Sequence, residues 1–142
     1  MLRVWYPTTV STVSWHIKQL IRRYLEETSD DPGAELPFKL HDFGAREVSS
    51  YESAAIGGLA HLVNFKGTAN VSALLAGRNY YGEPMAGFSI PAAEHSTITA
   101  WGRDGEEAAY RNMIRTFGKP GGVFACVSDS SARRCGEVRP AH

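Results

Sequence analysis

The chain has little cysteine. Cys126 and Cys135 are the two it carries, nine positions apart in 142 residues. The N-terminus, MLRVWYPTTV, lacks the apolar core of a signal peptide, so the pair reads as free thiols rather than a cross-link. Neither charge sign is in excess. Fifteen Lys and Arg balance fifteen Asp and Glu, which argues against a general nucleic-acid or membrane-surface binder. No apolar run approaches the ~20 residues needed to cross a bilayer. A Walker or Rossmann glycine loop is missing, as are internal repeats and low-complexity stretches. No carboxylate–histidine spacing resembles a zinc site, His41-Asp42 included. What is present is ordinary for a globular protein: 43% hydrophobic and 21% charged residues. The expectation is a soluble, cytoplasmic α/β domain with one modest core.

The apolar pattern alternates between two periods. Val13, Ile17, Leu20, Ile21, Tyr24 and Leu25 fall three and four apart, which predicts a helix over 11–28 with this stripe buried. Ser29-Asp30-Asp31-Pro32-Gly33 breaks it as a turn. Strands are expected at 38–43, 61–65, 88–90 and 123–127. Between them, helices are expected over 50–60, 69–81 and 108–117. Capping-box spacings mark two helix starts, Ser49 with Glu52 and Asp104 with Glu107. The order, a helix and then β-α-β-α-β-α-β, points to a parallel sheet with helices packed outside. Periodicity alone leaves a small open sheet and part of a barrel as equal alternatives.

Polar residues gather just after the expected strands: Arg46 after the first, Lys66 and Thr68 after the second, Glu94 and His95 after the third, Asp129 after the fourth. In parallel α/β folds those loops line one face, where sites form. Arg46 suits a phosphate through its planar fork of donors. His95 titrates near neutrality and serves as acid, base or nucleophile, and Asp129 could orient its ring. Each residue also has a plain structural reading: Arg46 as a solvated charge, His95 as a satisfied structural histidine, Asp129 as a helix N-cap, Phe43 as a core aromatic, Cys126 as a buried strand residue.

These same residues carry a resemblance. Lys39-Leu40-His41-Asp42-Phe43-Gly44-Ala45-Arg46, with Val48-Ser49-Ser50, resembles the HDFG-x-R-x-VSS stretch of nicotinamide phosphoribosyltransferases. Residues 60–68, AHLVNFKGT, resemble the family's next strand. The most specific likeness is residues 89–102, SIPAAEHSTITAWG, followed at a suitable distance by Val127-Ser128-Asp129-Ser130. The likeness runs over about residues 4–130.

The resemblance implies a type II phosphoribosyltransferase: an irregular α/β barrel with further domains, acting as a homodimer with active sites shared between subunits. The implied reaction moves phosphoribose from phosphoribosyl pyrophosphate to nicotinamide, giving nicotinamide mononucleotide and pyrophosphate in NAD biosynthesis. ATP and Mg²⁺ are the implied cofactors, ATP acting through a transiently phosphorylated histidine. Carried over by residue, Phe43 would stack on the nicotinamide ring and Arg46 would contact the base and the product phosphate. Ser89 and Ile90 would line the pyridine pocket. His95 would be the phosphorylated histidine and Asp129 its supporting acid.

The likeness departs at two loop positions. Ala69 stands where the family usually has an aspartate that hydrogen-bonds the carboxamide, and Gly67-Thr68-Ala69-Asn70 is closer to the nicotinate branch. Glu47 replaces a glycine beside Arg46. The family's members run to several hundred residues, with an N-terminal part and a downstream phosphoribosyl-pyrophosphate-binding stretch that these 142 residues lack, so the chain is expected to be a central fragment, with 1–130 a partial barrel domain and 131–142 a divergent, disordered tail from a truncated or frameshifted reading frame. Nicotinate phosphoribosyltransferase is the rival enzyme reading. A non-catalytic remnant that binds a full-length subunit is the rival outside enzymes.

Overall fold

The computed structural model describes residues 3–120 and 122–128. Asp129, Cys135 and the tail 131–142 lie outside the described residues. The chain divides into two compact units, Met1–Ser89 and Ile90–His142.

The first unit opens with helix α1, Trp5–Thr28. Its inward line is Tyr6, Val10, Ser14, Ile17, Ile21 and Leu25, spaced three or four apart. This corrects the expected stripe. Ile17, Ile21 and Leu25 do turn inward, but Val13, Leu20 and Tyr24 are 51%, 55% and 59% exposed. The physical reason is a polar anchor. Asn64 Nδ2 donates to Ser14 Oγ at 2.7 Å and to the Ser11 carbonyl at 2.9 Å, which pulls the serine side of the helix into the interior. After α2 (Pro32–Glu35), whose first turn is capped by the Asp31 carboxylate, a 3₁₀ turn at Leu36–Phe38 leads to strand β1, His41–Asp42.

The expected strand over 38–43 is thus reduced to two residues. A second 3₁₀ turn, Gly44–Glu47, follows directly. Helix α3 spans Tyr51–Leu62, and its N-cap is Ser50, accepting from the Ser53 amide at 3.0 Å. Ser49 does not take that place, and Glu52 pairs with Arg3 instead of closing a capping box. The helix continues through residues expected to be a strand. Ala54, Gly58, His61 and Phe65 are all buried at helical spacing, so HLVNF is a helix end and turn rather than an extended run. The strand comes later: β2 is Gly67–Thr68.

Strands β1 and β2 pair in parallel, His41 opposite Gly67 and Asp42 opposite Thr68. Phe88 adds one parallel bridge to Gly67, which is all that forms of the expected 88–90 strand in this unit. The Thr68 amide donates to the Phe88 carbonyl at 2.9 Å, and the Phe88 amide to the Lys66 carbonyl at 2.7 Å. Helix α4, Val71–Tyr81, starts at the Asn70 N-cap and stops at Gly82, whose φ of 67° is the left-handed conformation glycine adopts freely.

Two glycines let α3 approach its neighbours. A Cβ on Gly57 would strike the Tyr6 ring of α1. One on Gly58 would clash with Asn70 Nδ2 and come within 2.7 Å of Ala73 Cβ and 2.9 Å of Asp42 Oδ2. Alanine-rich faces and glycines therefore set a close α3–α4 packing, with Ala54, Ala73 and Ala76 buried between bulkier residues.

In the second unit, residues 91–93 and Ala125 make a parallel bridge: the Ala93 amide donates to the Ala125 carbonyl, and the Ala125 amide to the Pro91 carbonyl, both at 2.9 Å. This is what forms of the strand expected at 123–127. Helix α5, His95–Thr99, was not anticipated, and α6 spans Glu106–Phe117. Gly105 is the α6 N-cap, so the expected Asp104–Glu107 box is absent; Glu107 pairs with Arg111 one turn on. Ile98, Ala109 and Met113 form the local core. The architecture is mixed α/β, mostly helical, with a small parallel sheet.

Gly58→Ala is expected to lower the free energy of unfolding by about 1–3 kcal/mol, because the methyl has no room between α3, Asn70 and Asp42. Urea unfolding of the two proteins measures it, and an unchanged midpoint would show that this packing is not as tight as described.

Candidate active site at the sheet edge

The parallel arrangement makes one edge of the small sheet chemically distinct. Phe43, Ala69 and Ser89 are each the first residue beyond β1, β2 and the Phe88 bridge. All three are exposed. The Ala69 amide donates to the Asp42 carbonyl at 2.9 Å, which carries the pairing one step past the strands and holds the two loops side by side. Phe43 leans on His41 with ring centroids 4.5 Å apart and stays 46% exposed. Arg46 lies in the 3₁₀ turn Gly44–Glu47, exposed, with Glu47 next to it. This turn packs on α3.

The first unit therefore brings together Phe43, Arg46, Ala69 and Ser89. Ile90 and His95 belong to the second unit. Ile90 is half-buried, and His95 is exposed as the first residue of α5, its amide donating to Glu94 Oε1 at 3.3 Å. Asp129, expected to support His95, falls outside the described residues. Cys126 is half-buried, and burial raises its thiol pKa, so it is a poor nucleophile as placed. Among the described residues no three His, Cys, Asp or Glu side chains converge as metal ligands.

Beneath the edge lies a polar knot that composition and spacing did not reveal. Asp42 Oδ1 accepts from the Gly44 amide at 2.8 Å, while Oδ2 accepts from Asn70 Nδ2 at 3.2 Å and Thr68 Oγ1 at 3.4 Å. Asn70 is 2% exposed and also donates to the Ala54 carbonyl at 2.8 Å. Its Oδ1 accepts from the Ala73 amide and the Ser72 hydroxyl. Sequence signals for both residues exist: Asp42-Phe43-Gly44 has the spacing of an Asx turn, and Asn70 directly precedes a helical pattern.

Two histidines lie at this strand, His41 within β1 and His61 on α3. His61 is buried, stacks on Phe65 at 5.4 Å, and its Nε2 lies 3.0 Å from the Gly67 carbonyl. Burial is the largest influence and lowers its pKa, against a smaller opposing pull from that carbonyl and Asp42. His41 is lowered too, first by burial and then by His61. Both rings are thus held toward the neutral form in the folded chain.

The wide apolar groove of the first unit lies elsewhere. Ile56, Leu59, Leu75 and Tyr80 line it, and Phe43, Arg46, Ala69 and Ser89 do not.

The model of the nicotinate phosphoribosyltransferase (NAPRTase) family matches residues 38–134. The chain belongs to that family. It is similar to proteins named nicotinamide phosphoribosyltransferase from three bacteria. With that of Xanthomonas campestris pv. campestris it shares 65% identity over 130 residues, 92% of this chain and 28% of the relative. With that of Acinetobacter baylyi it shares 31% over 131 residues, covering 89% and 25% of the two chains. With that of Mycoplasma pneumoniae it shares 34% over 127 residues, again 89% and 25%. The chain thus spans about a quarter of the length of the curated relatives it matches. The family match contains β1, β2, the Phe88 bridge and α5, and so every candidate residue of the sheet edge.

The lowered histidine pKa values fix the sign of a pH effect. The unfolded chain, with ordinary histidines near 6.5, binds protons that the folded chain refuses. Their contribution to stability is complete above the unfolded value and is lost as pH falls through the lowered folded values. The urea midpoint should therefore drop between about pH 7 and about pH 5, and His61→Gln should flatten that slope. A midpoint equal at both pH values would contradict the lowered pKa of these two histidines.

Proposed function

We propose that this chain supplies the pyridine-binding edge of a nicotinamide phosphoribosyltransferase, which moves phosphoribose from phosphoribosyl pyrophosphate to the ring nitrogen of nicotinamide and releases pyrophosphate. The observation that carries the reading is the convergence of Phe43, Ala69 and Ser89 at one end of a parallel sheet, with Arg46 in the adjoining turn, inside the segment matched by the family. The relatives' printed names supply the base.

In this reading Phe43 stacks on the flat base with its exposed face and is backed by His41. Arg46 faces the phosphate of the nucleotide, where a planar cation forms two parallel hydrogen bonds. Ser89 and Ile90 line the pyridine pocket. Aligning the ring nitrogen with the anomeric carbon is the main contribution such residues make, since the C1–pyrophosphate bond breaks through a charge-separated, oxocarbenium-like state. His95, exposed at the start of α5, is the residue phosphorylated from ATP, with Asp129 as its supporting acid. Mg²⁺ would neutralise the leaving pyrophosphate. The described residues offer no ligand cluster for it, and none of the steps assigned to them depends on it. The chain's strands complete an irregular barrel only with further strands, in a cytoplasmic homodimeric enzyme, and 1–130 forms the barrel portion.

One observation favours a second base. Ala69 presents a methyl at the end of β2, where no side-chain oxygen can accept from a carboxamide, and the lack of a carboxylate there removes repulsion against nicotinate. Nicotinamide mononucleotide and its nicotinate counterpart, titrated in parallel into the chain, separate the two: tighter binding of the nicotinamide form supports the first reading, and tighter binding of the nicotinate form the second. The chain alone is expected to show no turnover of phosphoribosyl pyrophosphate with either base. Pyrophosphate release above the uncatalysed rate by the purified 142-residue protein would overturn its assignment as a partial enzyme.

A further inference from the structure

Asp42 has no role toward substrate in the proposed function, yet every oxygen it carries is committed to the two loops that form the edge. Oδ1 accepts from the Gly44 amide at 2.8 Å, which fixes the start of the turn that bears Arg46. Oδ2 accepts from Thr68 Oγ1 and Asn70 Nδ2, the residues on either side of Ala69. Its carbonyl accepts from the Ala69 amide at 2.9 Å. The surroundings are cut to this shape: a Cβ on Gly44 would lie 3.2 Å from Oδ1, and one on Gly58 2.9 Å from Oδ2. We infer that Asp42 is a positioning residue, a carboxylate clamp that sets Phe43 and Arg46 against Ala69 and so fixes the spacing between the ring-stacking and phosphate-facing groups.

This inference rests on the proposed function for its ligand, but the clamp itself is a statement about two loops. A carboxylate is needed because three donors converge on two oxygens that donate nothing in return. An asparagine in its place keeps an acceptor for Gly44 but turns an amide NH₂ toward Asn70 Nδ2, where donor meets donor. Alanine loses both sides. The turn at Gly44–Glu47 would then lose its side-chain tie to β1, and the ligand would have to bear part of the cost of ordering it.

The test compares the 142-residue chain with Asp42→Ala and Asp42→Asn at a temperature where circular dichroism shows all three folded. Two quantities are read: the dissociation constant for nicotinamide mononucleotide, and hydrogen exchange at the Gly44 amide. The clamp predicts affinity weakened about tenfold in Asp42→Ala and less in Asp42→Asn, with Gly44 exchange accelerated in the alanine variant and still protected in the asparagine variant. A residue that only stabilises the fold would lower the urea midpoint and leave the affinity of the folded protein unchanged, and that result overturns the inference. If Asp42→Ala does not fold, Asp42→Asn carries the test through its smaller affinity loss, and an unchanged affinity there overturns it. If the unsubstituted chain binds no mononucleotide, the proposed function fails, and the clamp stands or falls on the Gly44 exchange alone.

Discussion

The arrangement of the first unit depends on one buried amide–carboxylate contact, Asn70 to Asp42. Asn70 is almost wholly enclosed, and an enclosed amide is tolerated only when its donors and acceptor are all matched. Here they are: Asp42 and the Ala54 carbonyl take the NH₂, while Ala73 and Ser72 give to the oxygen. These partners come from β1, α3 and α4. One side chain thus fixes the end of a strand, the first turn of one helix and the start of another. Gly58 is glycine because this knot occupies the space a side chain would take. The consequence for function is geometric. The loops at the strand ends stay exposed to solvent while the residues immediately beneath them are immobilised by hydrogen bonds whose loss would strand buried polar atoms.

Such a base supports a site on loops. Two-residue strands offer few ladder bonds, and a sheet this small gives little rigidity of its own. Side-chain bonding to loop backbone makes up the difference at Gly44 and at Asn70. The exposed aromatic side chains concern the scale of the fold. Trp5, Tyr51, Tyr80 and Tyr81 are each at least two-thirds exposed, in a chain that spans about a quarter of its relatives' length. Surface of that kind is what a larger fold covers.

Helices were legible in the sequence because their periods are long enough to recur. α3, α4 and α6 fall within two residues of the expected places, α1 ends where expected but starts six residues earlier, and the parallel order of the short strands follows from the alternation. The misreadings have separate physical causes. HLVNF is a run of apolar residues too short for its period to be seen, and its burial continues the rhythm of Ala54 and Gly58 that α3 had already set. The outward position of Val13, Leu20 and Tyr24 could not be read because it depends on Asn64 reaching Ser14 across 50 positions of sequence. The two caps each shifted by one place, from Ser49 to the adjacent Ser50 and from Asp104 to Gly105. Of the candidate site, strand order marked Arg46; Phe43, Ala69 and Ser89 came from the family resemblance, because the expected strands at 38–43 and 88–90 held Phe43 and Ser89 inside them. The knot under them was not: Asp42 and Asn70 are 28 residues apart, and nothing local to either marks the other as its partner.

The central claim is that the loops above this knot bind a pyridine nucleotide. The most direct measurement is a titration of the isotope-labelled chain with nicotinamide mononucleotide, followed residue by residue through its backbone amide resonances. The account predicts that the amides of Phe43, Gly44, Arg46, Ala69 and Ser89 move together along one saturation curve. Shifts confined to the α3–α4 groove around Ile56, Leu75 and Tyr80, with the sheet edge unmoved, would contradict it.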